Sequence, residues 1–333
     1  MRVSHIDRGS LLQVPRLAGV VIAVVAAAMI PTAAGAQWAV ARADSLLASG
    51  RVGAAESLYY AASNSRPRDA IARAALGRYL ASRGALRPGA VLLEEARLFG
   101  GDTASIARAL APIYSSLGDY RALATLPMAP LSTPERDRVR WLVAHAPVLE
   151  FPDTIDTLPY KPLADASGLG IVHVTIGDRE IEATIDPRMP GIVLRGTARR
   201  RRALKIFGTD STGVIALVPE LRLGTVVLSN VPARIETDES LVMGAAPKSS
   251  IGLDVVQHLA PTFDPISNSI TLRRTDQIAA TTPGTRLTTM VDQSGTRVLI
   301  DGRWEAMTSH SAAALFSTRR WTLDSRRGSI LLQ

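Results

Sequence analysis

Asp186 is the side chain best placed to do chemistry. It ends a run in which Ile181, Ala183 and Ile185 alternate with other residues, and it opens the loop Pro187-Arg188-Met189-Pro190-Gly191 before the apolar run Ile192-Val193-Leu194. A carboxylate on a tight turn at the end of a buried strand can act as a general acid or base. Arg188 brings a guanidinium two residues away, and a nearby positive charge favours the ionised acid. Two readings of Asp186 stand: a catalytic acid, or a structural carboxylate that pairs with Arg188 or caps the turn. Asp254 and His258 fall at i, i+4 on one helix face, which without a third ligand describes an ion pair or a helix surface rather than a metal site. His173 and His310 are isolated and read as structural. The run Arg199 to Arg202 is a solvated face or a docking patch for an acidic partner. There is no cysteine, which excludes disulfides, thiolate metal sites and a cysteine nucleophile. No P-loop, Gly-x-Ser-x-Gly elbow, zinc helix or dinucleotide fingerprint occurs, so neither a cofactor nor a metal is expected.

The elements around Asp186 must position it. Val172, Val174 and Ile176 alternate before Gly177-Asp178, and Ile181, Ala183 and Ile185 alternate after it. Period two on both sides of such a turn predicts a β-hairpin with one buried face. Further on come a polar stretch bounded by Gly208 and Gly213, then Ser250-Ile251-Gly252-Leu253-Asp254-Val255-Val256, then Phe263-Asp264-Pro265 to Ile270-Thr271-Leu272. A short helix or turn is expected at Thr197 to Leu204, and strands at Val214-Val218, Leu221-Leu223, Thr225-Leu228 and Val231-Ile235.

With these motifs in this order, residues 170 to 274 resemble the retropepsin-like aspartic peptidases, whose active segment reads apolar-Asp-Thr/Ser-Gly-Ala/Ser followed by apolar residues. The resemblance implies an all-β barrel with Asp186 as the catalytic acid. It implies that Gly208 to Gly213 is the flap over substrate, and that Ile251-Gly252 lies beneath the active loop. Substrate contacts would fall at Arg188, Gly191, Gly208, Gly213, Ile251 and Gly252. Such peptidases hydrolyse peptide bonds with two carboxylates about 3 Å apart sharing one proton. Here Pro187 stands in place of Thr/Ser and offers neither hydroxyl nor backbone donor. Arg188 stands in place of Gly, and Ser250 in place of an apolar residue. One acid per chain serves this chemistry only if two chains meet symmetrically at the loop.

Upstream, Arg2, Arg8 and Arg16 lead into an uncharged apolar run, Leu17 to Ile30, followed by Ala34-Gly35-Ala36. This is the pattern of a secretory signal cleaved after Ala36. The run is shorter than the ~20 residues of a membrane span, so no span is expected after signal removal, and the location is periplasmic or secreted. Residues 38 to about 126 read as helices. Gly50, Gly84 and Gly118 punctuate them at intervals of 34 residues, the tetratricopeptide repeat period. Ala43, Gly77 and Ala111 occupy one equivalent position, Leu46, Leu80 and Tyr114 another, and Ala55, Tyr59, Ala62 and Pro67 follow Gly50 at the repeat's offsets. About three tetratricopeptide-like helix pairs are expected, then a helix capped by Ser132-Thr133-Pro134-Glu135.

The expected architecture is therefore multidomain α and β. It comprises a signal peptide at 1–36, a tetratricopeptide-like helical array at 37–146, a Pro-rich linker at 147–168 and a retropepsin-like all-β barrel at 169–276. Within 277–333, Leu323 to Leu332 aligns without gaps on Phe263 to Leu272, and Arg297 to Trp304 resembles Val172 to Glu180. This region is a truncated second half-barrel, or its hairpins look alike only because hairpins do. Its Met307-Thr308-Ser309-His310-Ser311, where a second acid would fall, has no carboxylate.

Of the formal charge of +8, Arg2, Arg8 and Arg16 against Asp7 belong to the signal segment, so about +6 remains. Aromatic residues are 5% and form no stacking platform, so nucleic acid is not an expected partner. The leading expectation is a peptide or protein ligand bound by a member with impaired catalysis. The alternative is an active aspartic endopeptidase, a homodimer using one Asp186 from each chain. A third reading gives the helical array the main role, with the barrel as a spacer.

Overall fold

A computed structural model describes residues 32–127, 131–152, 155–163, 169–186, 191–195, 203–236, 249–252, 255, 258–278, 282–292 and 295–333. Residues 1–31, which hold most of the expected signal segment, the Pro187–Pro190 loop, Arg199–Arg202 and Asp254 lie outside them.

The first part is helical: α1 (Thr32–Ala48), α2 (Val52–Ser65), α3 (Ala70–Ser82), α4 (Leu86–Leu98), α5 (Thr103–Leu117), α6 (Tyr120–Thr125) and α7 (Thr133–Ala144). α1 starts upstream of the expected cleavage point. The three glycines at 34-residue spacing close three copies of one turn. Each is left-handed, with φ of 75°, 83° and 69° at Gly50, Gly84 and Gly118. Each turn carries the same pair of bonds, for example Arg51 N to Leu46 O at 2.9 Å and Gly50 N to Leu47 O at 3.0 Å. This pairing satisfies the last carbonyls of a helix and requires the conformation glycine adopts at least cost. Within the second pair, α3 and α4 approach so closely that a Cβ on Gly89 would sit 2.8 Å from Gly77 O. Ser132 caps α7 in a reciprocal capping box with Glu135, as its sequence predicts.

The stretch expected to be a linker is instead strand: β1 (Val148–Glu150), β2 (Ile155–Pro159) and β3 (Lys161–Pro162). Its prolines fall outside the strands or at their last residues, where no ladder donor is required.

There follow β4 (Gly170–Ile176), β5 (Arg179–Ile185), β6 (Ile192–Arg195), β7 (Lys205–Asp210), β8 (Gly213–Leu223), β9 (Val226–Glu236) and β10 (Ser249–Ile251). The β4–β5 hairpin turns at Gly177 in the predicted register, Ile176 opposite Arg179. The hydrogen-bonded order β9-β6-β10-β5-β4-β8 returns on itself because β8 also pairs with β9, which closes a barrel. β8 and β9 correct the expectation of four short strands. They are two long ones in a single register, passing Pro219 and the left-handed Asn230 between the pairs Val218–Val231 and Glu220–Ser229.

The C-terminal part comprises β11 (Thr262–Asp264), β12 (Ser269–Arg273), β13 (Thr285–Asp292), β14 (Gly295–Ile300), β15 (Arg303–Ala306), α8 (His310–Thr318), β16 (Trp321–Asp324) and β17 (Ser329–Leu332). It forms a second sheet in the order β15-β14-β13-β17-β16-β11-β12-β2. The two aligned hairpins, β11–β12 and β16–β17, lie side by side and antiparallel. Thr262 pairs with Thr322, its own counterpart in the alignment, and their hydroxyls meet at 2.8 Å. The matching turn residues Asn268 and Gly328 share a left-handed φ, 50° and 52°. Outside them, β2 flanks β12 and β13 flanks β17 at equivalent positions, Leu158 opposite Ile270 and Leu287 opposite Ile330. These six strands are therefore related by an approximate twofold through the Thr262–Thr322 pair.

Side chains of barrel and sheet share one apolar core, which includes Ile185, Leu221, Phe263, Phe316, Trp321 and Ile330. The helices attach along their turns. A Cβ on Gly50 would collide with Gly302 O and one on Gly84 with Ser325 O, while Trp304 Nε1 donates to Leu47 O at 2.6 Å. Arg83 donates to Thr289 O and Gly328 O. Leu217 of β8 packs in the same core as Leu110 and Leu142 of the helices.

Candidate active site

Asp186 directly follows β5 with its side chain buried, the residue only 6% exposed. The short strand β10 holds both ends of the loop that starts there. On one side Ser250 and Ile251 pair in parallel with Thr184 and Ile185; on the other they pair antiparallel with Val193 and Ile192. The backbone bonds continue past the strands: Asp186 N donates to Ile251 O at 2.9 Å, and Gly252 N donates to Gly191 O at 2.7 Å. Gly191 has φ of 68°, a left-handed turn that brings the chain back to β10 and strains any residue with a Cβ. The barrel thus fixes the position of one buried carboxylate to its backbone. Next to it, Ser249 Oγ accepts from Arg195 N at 3.1 Å, and the Arg195 guanidinium binds Glu236 at 2.6 Å.

Of the residues expected to act together, Asp186, Gly191, Ile251 and Gly252 are brought together; Arg188 lies outside the described residues. Gly208 lies within β7, opposite Ile215, and Gly213 opens β8 after the tight turn; that hairpin is fastened to α7. A Cβ on Gly208 would meet Pro134 Cγ at 2.9 Å, and Ser132 Oγ donates to Asp210 Oδ2 at 2.8 Å. Phe207 packs edge-on to Trp141 with centroids 6.4 Å apart, and Lys205 lies over the same indole. The hydrogen bond from the Thr212 hydroxyl, with Ser132 assisting against the opposing effect of burial, lowers the Asp210 pKa to about 2. The expectation of a flap closing over substrate is therefore corrected: the hairpin forms, but these contacts tie its tip to the helices. No local pattern announces this clamp, because its partners are 78 residues apart in sequence.

Chemistry by paired acids needs a second carboxylate close to the first. Among the described residues the other buried carboxylate is Asp324, which binds Arg327 at 2.8 Å and Arg286 at 3.3 Å in the eight-stranded C-terminal sheet. At 307–311 Met307 is buried, Ser309 caps α8 through Ala312 N, and His310 is exposed at the first residue of that helix. His173 faces Glu180 across the β4–β5 hairpin at 3.4 Å. His258 follows a short turn and bonds the backbone at Ser116; desolvation lowers its pKa against that bond. Among the described residues no three His, Cys, Asp or Glu side chains converge as metal ligands. No helix among them is long and apolar enough to cross a membrane.

The geometry is that of a helical array joined to a closed β barrel that holds one buried acid on a pinned loop. No protein-family model and no curated protein matches the chain. Among solved structures, the chain is similar to a retropepsin-like aspartic protease from Rickettsia conorii, with 11% identity over 38% of this chain and 91% of that one, at a TM-score of 0.27.

Proposed function

We propose that the chain is an exported retropepsin-like protein with tetratricopeptide-like helices that binds extended peptides or proteins without cleaving them. The observation that carries this reading is the lone acid: among the described residues the other buried carboxylate, Asp324, is bound to Arg327 at 2.8 Å and Arg286 at 3.3 Å. The same-chain lobe that β16 belongs to contributes no carboxylate at 307–311. The pinned Asp186 loop supports a retained barrel rather than a retained reaction, since Pro187 removes the hydroxyl that steadies the acid in active members. Signal removal after Ala36 would shorten α1 by its first turn and leave the turn at Gly50 intact. The test is incubation of the purified mature protein with casein and a peptide library from acidic to neutral pH, alongside sedimentation. A monomer without cleavage is expected; cleavage that disappears in Asp186→Asn would overturn the reading.

A further inference from the structure

A cleft of about 610 Å³ opens where the helices, the barrel and the C-terminal hairpin meet, away from Asp186. Three elements each place an arginine on its lining. Arg87 comes from the first turn of α4, Arg274 from the residue before the 3-10 turn Thr275–Gln277, and Arg326 from the 3-10 turn Ser325–Arg327. Against these three cations stands one carboxylate of the cleft, Asp276, already bound to Arg274 at 3.1 Å. Arg87 and Arg326 are exposed, and neither has an ion pair among the described residues. The N-cap of α4, Ala85, has no side chain to cap it, so the helix dipole adds to the positive potential at Arg87. The floor is apolar, made of Leu149 and Phe151, both packed against the main core.

The shape of the ligand follows from the floor. Leu149 is the middle residue of β1, which pairs with β9 on one side and, among the described residues, is the last strand of its sheet on the other. An edge strand presents backbone donors and acceptors to an added strand, and alternate side chains of that strand then face opposite ways. We infer that this cleft binds an extended acidic peptide, which adds to the free edge of β1, sets an apolar side chain on Leu149 and Phe151, and places carboxylates against Arg87, Arg274 and Arg326. The inference rests on the peptide-binding reading above and gives it a site and a charge. A lone small acid would reach the guanidiniums but leave the strand edge and the floor unfilled.

Fluorescence anisotropy with the mature protein tests this, using a dye-labelled peptide that alternates glutamate with leucine and its glutamine counterpart. The acidic peptide is expected to bind, more weakly as salt is added. The double variant Arg87→Ala/Arg326→Ala is expected to weaken it by about tenfold or more, which is ~1.4 kcal/mol. Arg140→Ala removes an exposed guanidinium elsewhere and should leave binding unchanged. Circular dichroism melting of the double variant should match the parent, since neither arginine supports the fold through an ion pair. Equal binding of both peptides, or binding indifferent to the double variant, would overturn the acidic site while sparing peptide binding. Binding of neither peptide would remove both readings. Tighter binding of a single-stranded oligonucleotide, or full displacement by free glutamate, would overturn the extended peptide as the ligand.

Discussion

Replacing Trp321 tests whether the C-terminal hairpin and the barrel are one folding unit. Its indole is fully buried, stacks on Phe263 with centroids 4.1 Å apart at 17°, and leans on Phe316 at 5.0 Å. Phe263 in turn receives the edge of Tyr160 at 6.2 Å. The cluster thus joins β16, β11, α8 and the segment between β2 and β3. Truncating a buried Trp to Ala leaves a cavity and costs about 3–5 kcal/mol, a large part of the roughly 5–15 kcal/mol that holds a domain folded. Trp321→Phe separates packing from polarity. The indole Nε1 is buried with no hydrogen-bond partner among the described residues, and leaving such a group dry costs about 1–3 kcal/mol. Phe removes that penalty while losing ring area worth about 1–2 kcal/mol, so the two terms largely cancel. Urea unfolding followed by far-UV circular dichroism reads helices and strands together and does not depend on the missing fluorophore. The expected result is one transition, shifted strongly to lower urea in Trp321→Ala and little in Trp321→Phe. An early, separate transition that takes only part of the strand signal, with the remainder keeping its midpoint, would refute the shared core.

Three further outcomes are expected. Trp304→Phe removes the 2.6 Å bond to Leu47 O; it should cost about 1 kcal/mol and speed amide exchange in the turn between α1 and α2. Gly77→Ala should destabilise by forcing α3 from α4, where the new Cβ would meet Gly89 O at 3.0 Å, whereas Gly53→Ala meets nothing within 4 Å and should stabilise by about 0.5 kcal/mol in thermal melts. Asp210 is depressed from 3.8 to about 2, so its contribution is fully present above 3.8 and is lost as pH falls through about 2. Thr212→Ala should return its carboxyl toward the usual range in an NMR titration and move the acid loss of the hairpin clamp to higher pH; an unchanged titration would remove the hydroxyl as the cause.

Local signals carried much of this fold. The β4–β5 hairpin was legible because alternation and a Gly-Asp turn agree, and the helix ends because glycine in a left-handed turn has few substitutes. The prolines of 147–168 misled because proline marks strand ends at sheet edges as readily as it marks linkers: Pro159 closes β2, the outermost strand of its sheet. The gaps expected at 219–220 and 229–230 do not occur, because two long paired strands run through Pro219 and Asn230 and absorb one unpaired position. At the candidate site, the strand, the acid and the returning Gly191 follow from pattern. The clamp on the β7–β8 hairpin does not, because Trp141, Ser132 and Pro134 act on residues far along the chain. The basic cleft was equally hidden, since Arg87, Arg274 and Arg326 converge only through the tertiary fold.

The hairpin of residues 321–332 limits how two copies can meet. Two copies that met edge to edge at β11 would first have to free that edge, because in each copy it is bonded to β16. Freeing it means breaking the Thr262–Thr322 hydroxyl bond, the short ladder around it and the Phe263–Trp321 stack, of which the stack and its cavity alone are worth about 3–5 kcal/mol. Exchange of the hairpin between copies would restore each of these contacts, but it would again cover both β11 edges, now with the partner's strand. Neither route sets one β11 edge against another, so a dimer seen in sedimentation would be a hairpin exchange or a contact elsewhere, and Asp186→Asn should leave its formation unchanged.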